Sequence, residues 1–388
     1  MRYTILGLDG GATKIRGAIL ARTSDHDFFC DGTTEEILYR DCEGYQAGFQ
    51  SVPILLQLEQ MRQNNIVLSQ EEETQGKAFI QAAFLVIERL YQRCEGNPCL
   101  IGVGMPGLKT SDARGIVAMA NGPRIPGYAE SLEFMLKQKN INLASPIARL
   151  GSDADYCGFG EMYSKEGKMK EGSNVYYLGI GTGVADAMKI QGELLPFDKA
   201  KGWIAKSWEM LGKEGKTFEK KISMSAIEEE YRQKSQGKSL HAGEIFQLAS
   251  QKDPLAKGII ESVVAHLSHL IYDRIHTLAL GGTTAQFADA KRISLQPNHP
   301  FISSHWDKIV LGQRMGHLWA KEEYQEFFQN AVYTALEQKI LSLPEPFRSF
   351  YLEGENGRKN FLVASPLDIA PVLGAGICAY FMAKETVS

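Results

Sequence analysis

The chain opens on an apolar run, Ile5-Leu6-Gly7-Leu8, that stops at Asp9 and gives way to the small-residue turn Gly10-Gly11-Ala12-Thr13-Lys14. A second run, Ile15 to Leu20, follows at once, so the pattern predicts two strands joined as a hairpin. Strand-like runs end in glycine bends at Leu100–Gly107 (LIGVGMPG), at Val175–Gly183 (VYYLGIGTG) and at Leu278–Ala285 (LALGGTTA). A shorter run, Ala148 to Leu150, reaches Gly151-Ser152-Asp153-Ala154-Asp155, with a helix predicted from Tyr156 towards Tyr163. Helical spacing marks Lys77–Arg93, with Ala78, Ala82, Leu85, Val86 and Leu90 on one face. It also marks Ala256–His276, where Ile259, Ile260, Val263, Val264, Leu267, Leu270 and Ile271 share a face. Further helices are predicted at Gln313–Gln329, Ala331–Leu341 and Gly374–Lys384, and a strand around Glu36 to Tyr39. Between them, Glu43–Gly76 is polar and glutamine-rich and is predicted as an additional helix and loop.

Each glycine bend alone fits a tight turn with no ligand as well as a binding site. Their order is more specific. Small residues let backbone N–H groups approach an anion, and Thr13 and Lys14 add a hydroxyl and a positive charge. Asp9, at the strand end, is placed to hold hydrated Mg²⁺ beside the same anion. Asp153 lies at a strand-to-helix turn, where aspartate serves either as a helix cap or as a general base; Asp155 is the better cap.

In that order, the motifs resemble the ROK-type sugar kinases of the actin-like, hexokinase-like ATPase superfamily, over most of the chain. DGGATK resembles the first phosphate motif, GMPG the bend after the next strand, SDAD the motif with the catalytic aspartate, and GIGTG the second phosphate motif. Asn121-Gly122-Pro123 with Pro126-Gly127-Tyr128 resembles the segment that contacts sugar hydroxyls, and Phe218–Ile227 the segment whose glutamate, here Glu219, reaches the sugar. ALGGTTA, with Gly281 and Gly282, resembles the adenosine-side glycines, and Gly374-Ala375-Gly376 the closing helix. N-acetylglucosamine kinases and BadF-type ATPases share the opening DGG pattern.

The resemblance implies an α/β actin-like ATPase (ribonuclease H-like) duplicated fold, two domains with a cleft between them. The expected division is 1–120 plus 366–388 against 121–365. It further implies ATP-dependent phosphorylation of a hexose or amino-sugar hydroxyl. Asp153 is then the general base, and Asn121, Gly122, Asp153 and Glu219 read the sugar. Asp9, Gly11, Ala12, Thr13, Lys14, Gly181, Thr182, Gly183, Gly281 and Gly282 hold the nucleotide, with Mg²⁺ on Asp9 through water. A homodimer is allowed by the resemblance, while the sequence leaves the oligomeric state open.

Two departures stand out. The family's Gly-Glu-Ile-Gly-His segment is replaced by Ala205–Met210, without histidine, and its cysteine knuckle by Gly212-Lys213-Glu214-Gly215-Lys216-Thr217, without cysteine. Zinc is therefore not expected. The missing sugar contact leaves a second reading, a catalytically weak sugar or nucleotide sensor on the same fold. Retention of both Asp9 and Asp153 favours the enzyme, because a sensor would not require both charges.

Composition narrows the rest. The 388 residues suffice for two domains, and 44% hydrophobic with 23% charged residues is ordinary for a globular chain. A net charge of −4 argues against a nucleic-acid footprint. No apolar run reaches transmembrane length, and no signal peptide or helix-turn-helix region is read ahead of the first strand. The six cysteines form no CxxC pair, which fits reduced thiols in a cytoplasmic protein. Gly212–Thr217 ends like a P-loop, but that motif's first glycine would fall on Met210. His266, His269 and His276 share a predicted helix with no acidic or thiol partner spaced for a metal, so core or surface roles are expected. Trp203 and Trp208 fit a sugar ring or core packing equally.

Overall fold

The computed structural model describes residues 3–94, 96–212, 214–289, 294–353 and 360–387, without the side chains of Asp153, Thr386 and Val387. The chain divides into two compact units, Met1–Lys165 with Ile369–Ser388, and Glu166–Asp368.

In the first unit, β1 (Thr4–Gly10) and β2 (Lys14–Ser24) form the expected hairpin, in register from Ile5↔Leu20 to Gly10↔Ile15. β3 (Asp27–Leu38) extends it antiparallel. The polar stretch that follows holds α1 (Ile54–Arg62), and then comes α2 (Gln70–Tyr91). This second helix starts earlier than Lys77. Ser69 caps it by accepting the Glu72 amide at 3.1 Å, and Glu71, Glu72 and Glu73 suit the positive end of the helix dipole. Next are β4 (Cys99–Gly104), the small hairpin β5 (Leu108–Lys109) and β6 (Ile116–Ala118), α3 (Tyr128–Gln138), β7 (Leu150–Gly151) and α4 (Asp153–Tyr163). The sheet order is β3-β2-β1-β4-β7, with β1, β4 and β7 parallel. Leu6, Leu8, Ile15, Ile101 and Val103 pack with Phe79, Val86 and Leu90 of α2 in one core. The C-terminal helix lies so close to β4 that a Cβ on Gly102 would stand 1.9 Å from the Ala375 carbonyl oxygen, so only glycine fits there.

The second unit begins with β8 (Val175–Ile180), β9 (Val184–Ile190) and β10 (Glu193–Leu194), then α5 (Phe197–Ala200), β11 (Met210–Leu211), α6 (Glu219–Ile222), α7 (Met224–Lys234) and α8 (Ala242–Ser250). It continues with α9 (Pro254–Leu280), β12 (Gln286–Phe287), β13 (Lys308–Gly312), α10 (Gln313–Trp319), α11 (Asn330–Ile340), α12 (Phe347–Leu352) and β14 (Leu362–Ala364). The last helix, α13 (Ala370–Val387), returns to the first unit. Sheet order here is β10-β9-β8-β13-β14, with β8, β13 and β14 parallel and β9 and β10 antiparallel. Strand for strand, this repeats the first sheet.

Three expectations change. The run Leu278–Leu280 is the last turn of α9 and not a strand, because the 3.6-residue burial pattern of that helix continues through Leu278 and Ala279. The strand that does pair with β8 is β13, whose Ile309, Val310 and Leu311 are fully buried. Residues 313–329 do not form one helix: α10 ends at Trp319, and Gln325–Gln329 is a π-helical turn leading into α11. The contact division also falls at Lys165/Glu166 instead of 120/121, since β7 pairs with β4 and α4 packs on α13.

Candidate functional site

In the first unit, parallel register brings three strand ends level: Asp9 pairs with Gly104, and Gly104 with Gly151. Two strand spacings, about 10 Å, therefore separate Asp9 from the Gly151 backbone that leads into Ser152 and Asp153. The carboxyl ends of parallel strands are where α/β sheets bind ligands. Asp9 is half-buried, whereas Ala12, Thr13 and Lys14 are exposed on the turn. Two features of that turn differ from a simple phosphate cradle. The Gly11 amide is already donated to the Lys14 carbonyl at 2.9 Å, and the Lys14 ammonium lies 2.8 Å from Glu36. Behind the turn, Tyr39 is fully buried and stacked on Phe79 at 3.7 Å between ring centroids. Burial, then the neighbouring Tyr128 and Asp9, pushes the Tyr39 hydroxyl well above the ordinary tyrosine range.

Asp153 occupies the first turn of α4, but the helix cap is Ser152, whose hydroxyl accepts the Asp155 amide at 3.1 Å. Ser152 and Asp155 close the cap, as expected of Asp155. The Asp153 side chain lies outside the described residues.

Asn121 is exposed at a turn whose following residues, Gly122 to Ile125, are buried. Side chains from α1, α2 and the loop before α1 hold that turn from within. Gln57 accepts the Met119 amide at 2.7 Å and donates to the Met119 carbonyl at 3.1 Å. Ser51 donates to the Gly122 carbonyl at 3.0 Å. Glu72 accepts three bonds from Arg124: the amide at 3.0 Å, Nε at 2.8 Å and Nη2 at 2.7 Å. Arg124 and Glu72 are each about as buried as a core leucine, at 1% exposure. Sequence reading missed all four residues; the one available signal was a charged residue inside the buried Gly122–Ile125 run.

In the second unit, the Gly181–Gly183 turn is fixed by its own backbone. The Gly181 amide donates to the Gly183 carbonyl at 2.9 Å, and the Gly181 carbonyl accepts the Met224 amide at 2.8 Å. Thr182 and Gly183 are exposed. Glu219, expected at the sugar, has its carboxylate on this turn, accepting the Val184 amide at 2.9 Å. Gln313, at the end of β13, was not anticipated at all. Its φ is +55°, and its Oε1 lies 2.2 Å from where a Cβ on Gly181 would stand.

Gly281 and Gly282 end α9, with φ of +75° and +71°, and do not follow a strand. A Cβ on Gly281 would lie 1.8 Å from the Pro297 carbonyl oxygen. The hydroxyls beside them turn inward: Asp273 accepts from Thr283 Oγ1 at 2.7 Å, Thr284 N at 2.6 Å and Thr284 Oγ1 at 2.9 Å. The side of this turn left open is Gly282, which has no neighbour within 4 Å of an added Cβ.

In the turn that replaces the family's cysteine knuckle, Gly212 donates to the Lys216 carbonyl at 2.8 Å and Leu211 bridges Thr217; Lys213 lies outside the described residues. The buried Lys221 ammonium pairs with Glu214, with Glu230 at 3.9 Å. His266 is buried and its Nδ1 meets the Ser262 carbonyl at 2.7 Å, a core role. Among the described residues no group of three His, Cys, Asp or Glu side chains is arranged to hold a metal ion. Trp203 is buried and stacked on His299 at 4.4 Å, while Trp208 is half exposed. No described helix is long and apolar enough to cross a membrane.

A family model described as the ROK family matches residues 54–281, a span that includes the Asn121 turn, SDAD and GTG. The chain belongs to the ROK family. Its fold is similar to a ROK family glucokinase from Streptomyces griseus in complex with glucose and AMPPNP, at 14% identity over 97% of this chain and 99% of that chain, TM-score 0.57. It is also similar to the ROK hexokinase from Thermus thermophilus, at 18% identity over 98% and 99% of the two chains, TM-score 0.54. A ROK family transcriptional regulator, a homologue of the E. coli MLC protein, matches at 12% identity over 97% of this chain and 78% of that one, TM-score 0.55. No curated protein matches this ROK chain in sequence.

Proposed function

We propose that this ROK protein transfers the γ-phosphoryl group of ATP to a hydroxyl of a hexose or amino sugar. The observation that carries the reading is the level placement of Asp9, Gly104 and Gly151 at the carboxyl ends of adjacent parallel strands, with Asp153 one helical position past the Ser152 cap. Phosphoryl transfer needs charge neutralised and the attacking oxygen held in line, with little covalent work by protein. Asp153 takes the proton of the sugar hydroxyl as its oxygen bonds to the γ-phosphorus, the bond to the bridging oxygen breaks, and ADP leaves. Asn121, on a turn braced by Gln57 and Glu72, and Gly122 orient the sugar.

Thr13 and Lys14 in the first unit, and the exposed Thr182 and Gly183 in the second, serve the phosphates. Gly11 and Gly181, whose amides are internally bonded, shape those turns. Glu219 keeps a role on the second turn, through Val184 or through the sugar. Gly282 offers room for the adenosine side, whereas Gly281 packs against Pro297. The half-buried Asp9 is a hard oxygen donor suited to Mg²⁺ through water. When bound, Mg²⁺ offsets charge on the transferring group.

A second reading, a sugar- or nucleotide-responsive regulator, is favoured by the fold shared with the transcriptional regulator and by the altered Ala205–Met210 segment. A coupled ADP-release screen over common hexoses and N-acetylhexosamines separates the two. Turnover abolished in Asp153→Asn and suppressed in Asp9→Ala supports the kinase. A Mg²⁺-dependent thermal shift with ATP but no turnover on any sugar supports the regulator.

A further inference from the structure

Tyr39 and Tyr128 are two fully buried tyrosines in the core of the first unit. Tyr39 follows β3 and grips the first turn from behind. Its amide donates to the Thr13 carbonyl at 3.0 Å, and its Oη stands 2.9 Å from where a Cβ on Gly10 would lie. Tyr128 opens α3, directly after the Asn121–Gly127 stretch. Neither hydroxyl has a hydrogen-bond partner among the described residues. A hydroxyl buried without a bond is costly, and phenylalanine would fill the same space without that cost.

The two hydroxyls are neighbours. Burial comes first in raising the Tyr39 hydroxyl above the ordinary tyrosine range, then Tyr128 and then Asp9. The two groups thus act on one another across the core, yet make no direct bond. A water molecule between such groups satisfies both, and a buried water commonly takes about three bonds. Asp9, next to Gly10 at the end of β1, supplies the third acceptor.

We propose that Tyr39 and Tyr128 hold one buried water behind the first turn, and that this water makes Tyr39 a positioning residue for the Asp9 carboxylate. Both tyrosine O–H groups donate to the water oxygen, and the water donates to the carboxylate. The bond fixes how the carboxylate faces, and Tyr128 ties that orientation to the turn carrying Asn121. The consequence for Mg²⁺ rests on the phosphate reading of the first turn given above, whereas the water itself does not.

A double-mutant cycle with Tyr39→Phe and Tyr128→Phe, read by urea unfolding of the full chain, tests the water. Both substitutions keep the rings, including the stack of Tyr39 on Phe79. Each single variant should have a lower urea midpoint than the wild type. The double variant should fall little further, because the same water is lost in all three. An unchanged or raised midpoint in the single variants overturns the proposal, since hydroxyls that hold nothing are better replaced. Additive losses overturn it too, because the two groups would then hold separate partners. Titration of Mg²⁺ at fixed ADP, followed by thermal shift, tests the positioning role. Half-saturation should need about ten-fold more Mg²⁺ in Tyr39→Phe, the lower end of what losing a partner that orients a metal ligand costs. An unchanged Mg²⁺ requirement removes Tyr39 from the support of Asp9. A wild type with no Mg²⁺-dependent shift overturns the nucleotide reading and the positioning role with it, while the unfolding cycle still decides the water.

Discussion

Ser152 and Asp155 close a reciprocal pair at the start of α4: the Ser152 hydroxyl accepts the Asp155 amide at 3.1 Å and donates to the Asp155 carboxylate at 2.9 Å. The pair satisfies the Asp155 amide, and Asp153 sits between the two in sequence.

The consequence is a separation of stability from turnover. Ser152→Ala should cost about 1 kcal/mol of unfolding free energy, the usual worth of a cap. Asp153→Asn leaves the Ser152–Asp155 pair in place and should cost less than Ser152→Ala. Its kcat, measured on whichever sugar the screen identifies, should fall by about 10²-fold or more. An unchanged kcat in Asp153→Asn removes the residue from the mechanism.

The Arg124–Glu72 pair makes a second prediction. Both side chains are 1% exposed, and Glu72 bonds the Arg124 backbone as well as its guanidinium. Removing one partner leaves the other charge buried, so Glu72→Ala should destabilise by about 3 kcal/mol or more in urea unfolding. Gln57→Ala, which frees the Met119 backbone without stranding a charge, should be milder, about 1–2 kcal/mol, and should raise the sugar KM while leaving the ATP KM near the wild-type value. Parallel changes in both KM values would mean that Gln57 supports the unit as a whole and not the Asn121 turn.

What could be read from sequence was local. The β1–β2 hairpin was legible because Asp9 cuts an apolar run and a glycine turn follows it directly. α4 was legible after the strand end at Gly151, whereas the α13 expected from Gly374 starts four residues earlier, at Ala370. β13 escaped because its strand ends in Gly312-Gln313, while Gly281-Gly282 offered a better-looking glycine pair after an apolar run. Only pairing with β8, more than a hundred residues away in the chain, distinguishes the strand from the helix end. Arg124 and Glu72 are 52 positions apart, and Gln57 and Met119 62, so no local pattern joins them. The start of α2 was hidden by its three glutamates, which read as loop until Ser69 is seen as their cap.

The last prediction concerns the place where zinc ligands are missing. There Lys221, 4% exposed, pairs with Glu214, and that hydrogen bond holds the Glu214 carboxyl below the ordinary glutamate range. A carboxyl with a depressed folded pKa contributes stability that is fully present above its unfolded value, about 4.3. That contribution is lost as pH falls through the lower folded value. Wild-type protein should therefore lose stability below about pH 4.3, and Glu214→Gln should show less of that loss over the same window. The Glu214 side chain is more than half exposed, so the difference should shrink in about 1 M salt. If this ion pair stands in for the metal, chelation with EDTA leaves the melting temperature unchanged and elemental analysis finds no stoichiometric zinc. One zinc per chain, with a melting temperature that falls on chelation, would show that the site takes its ligands from residues other than the Gly212–Thr217 turn.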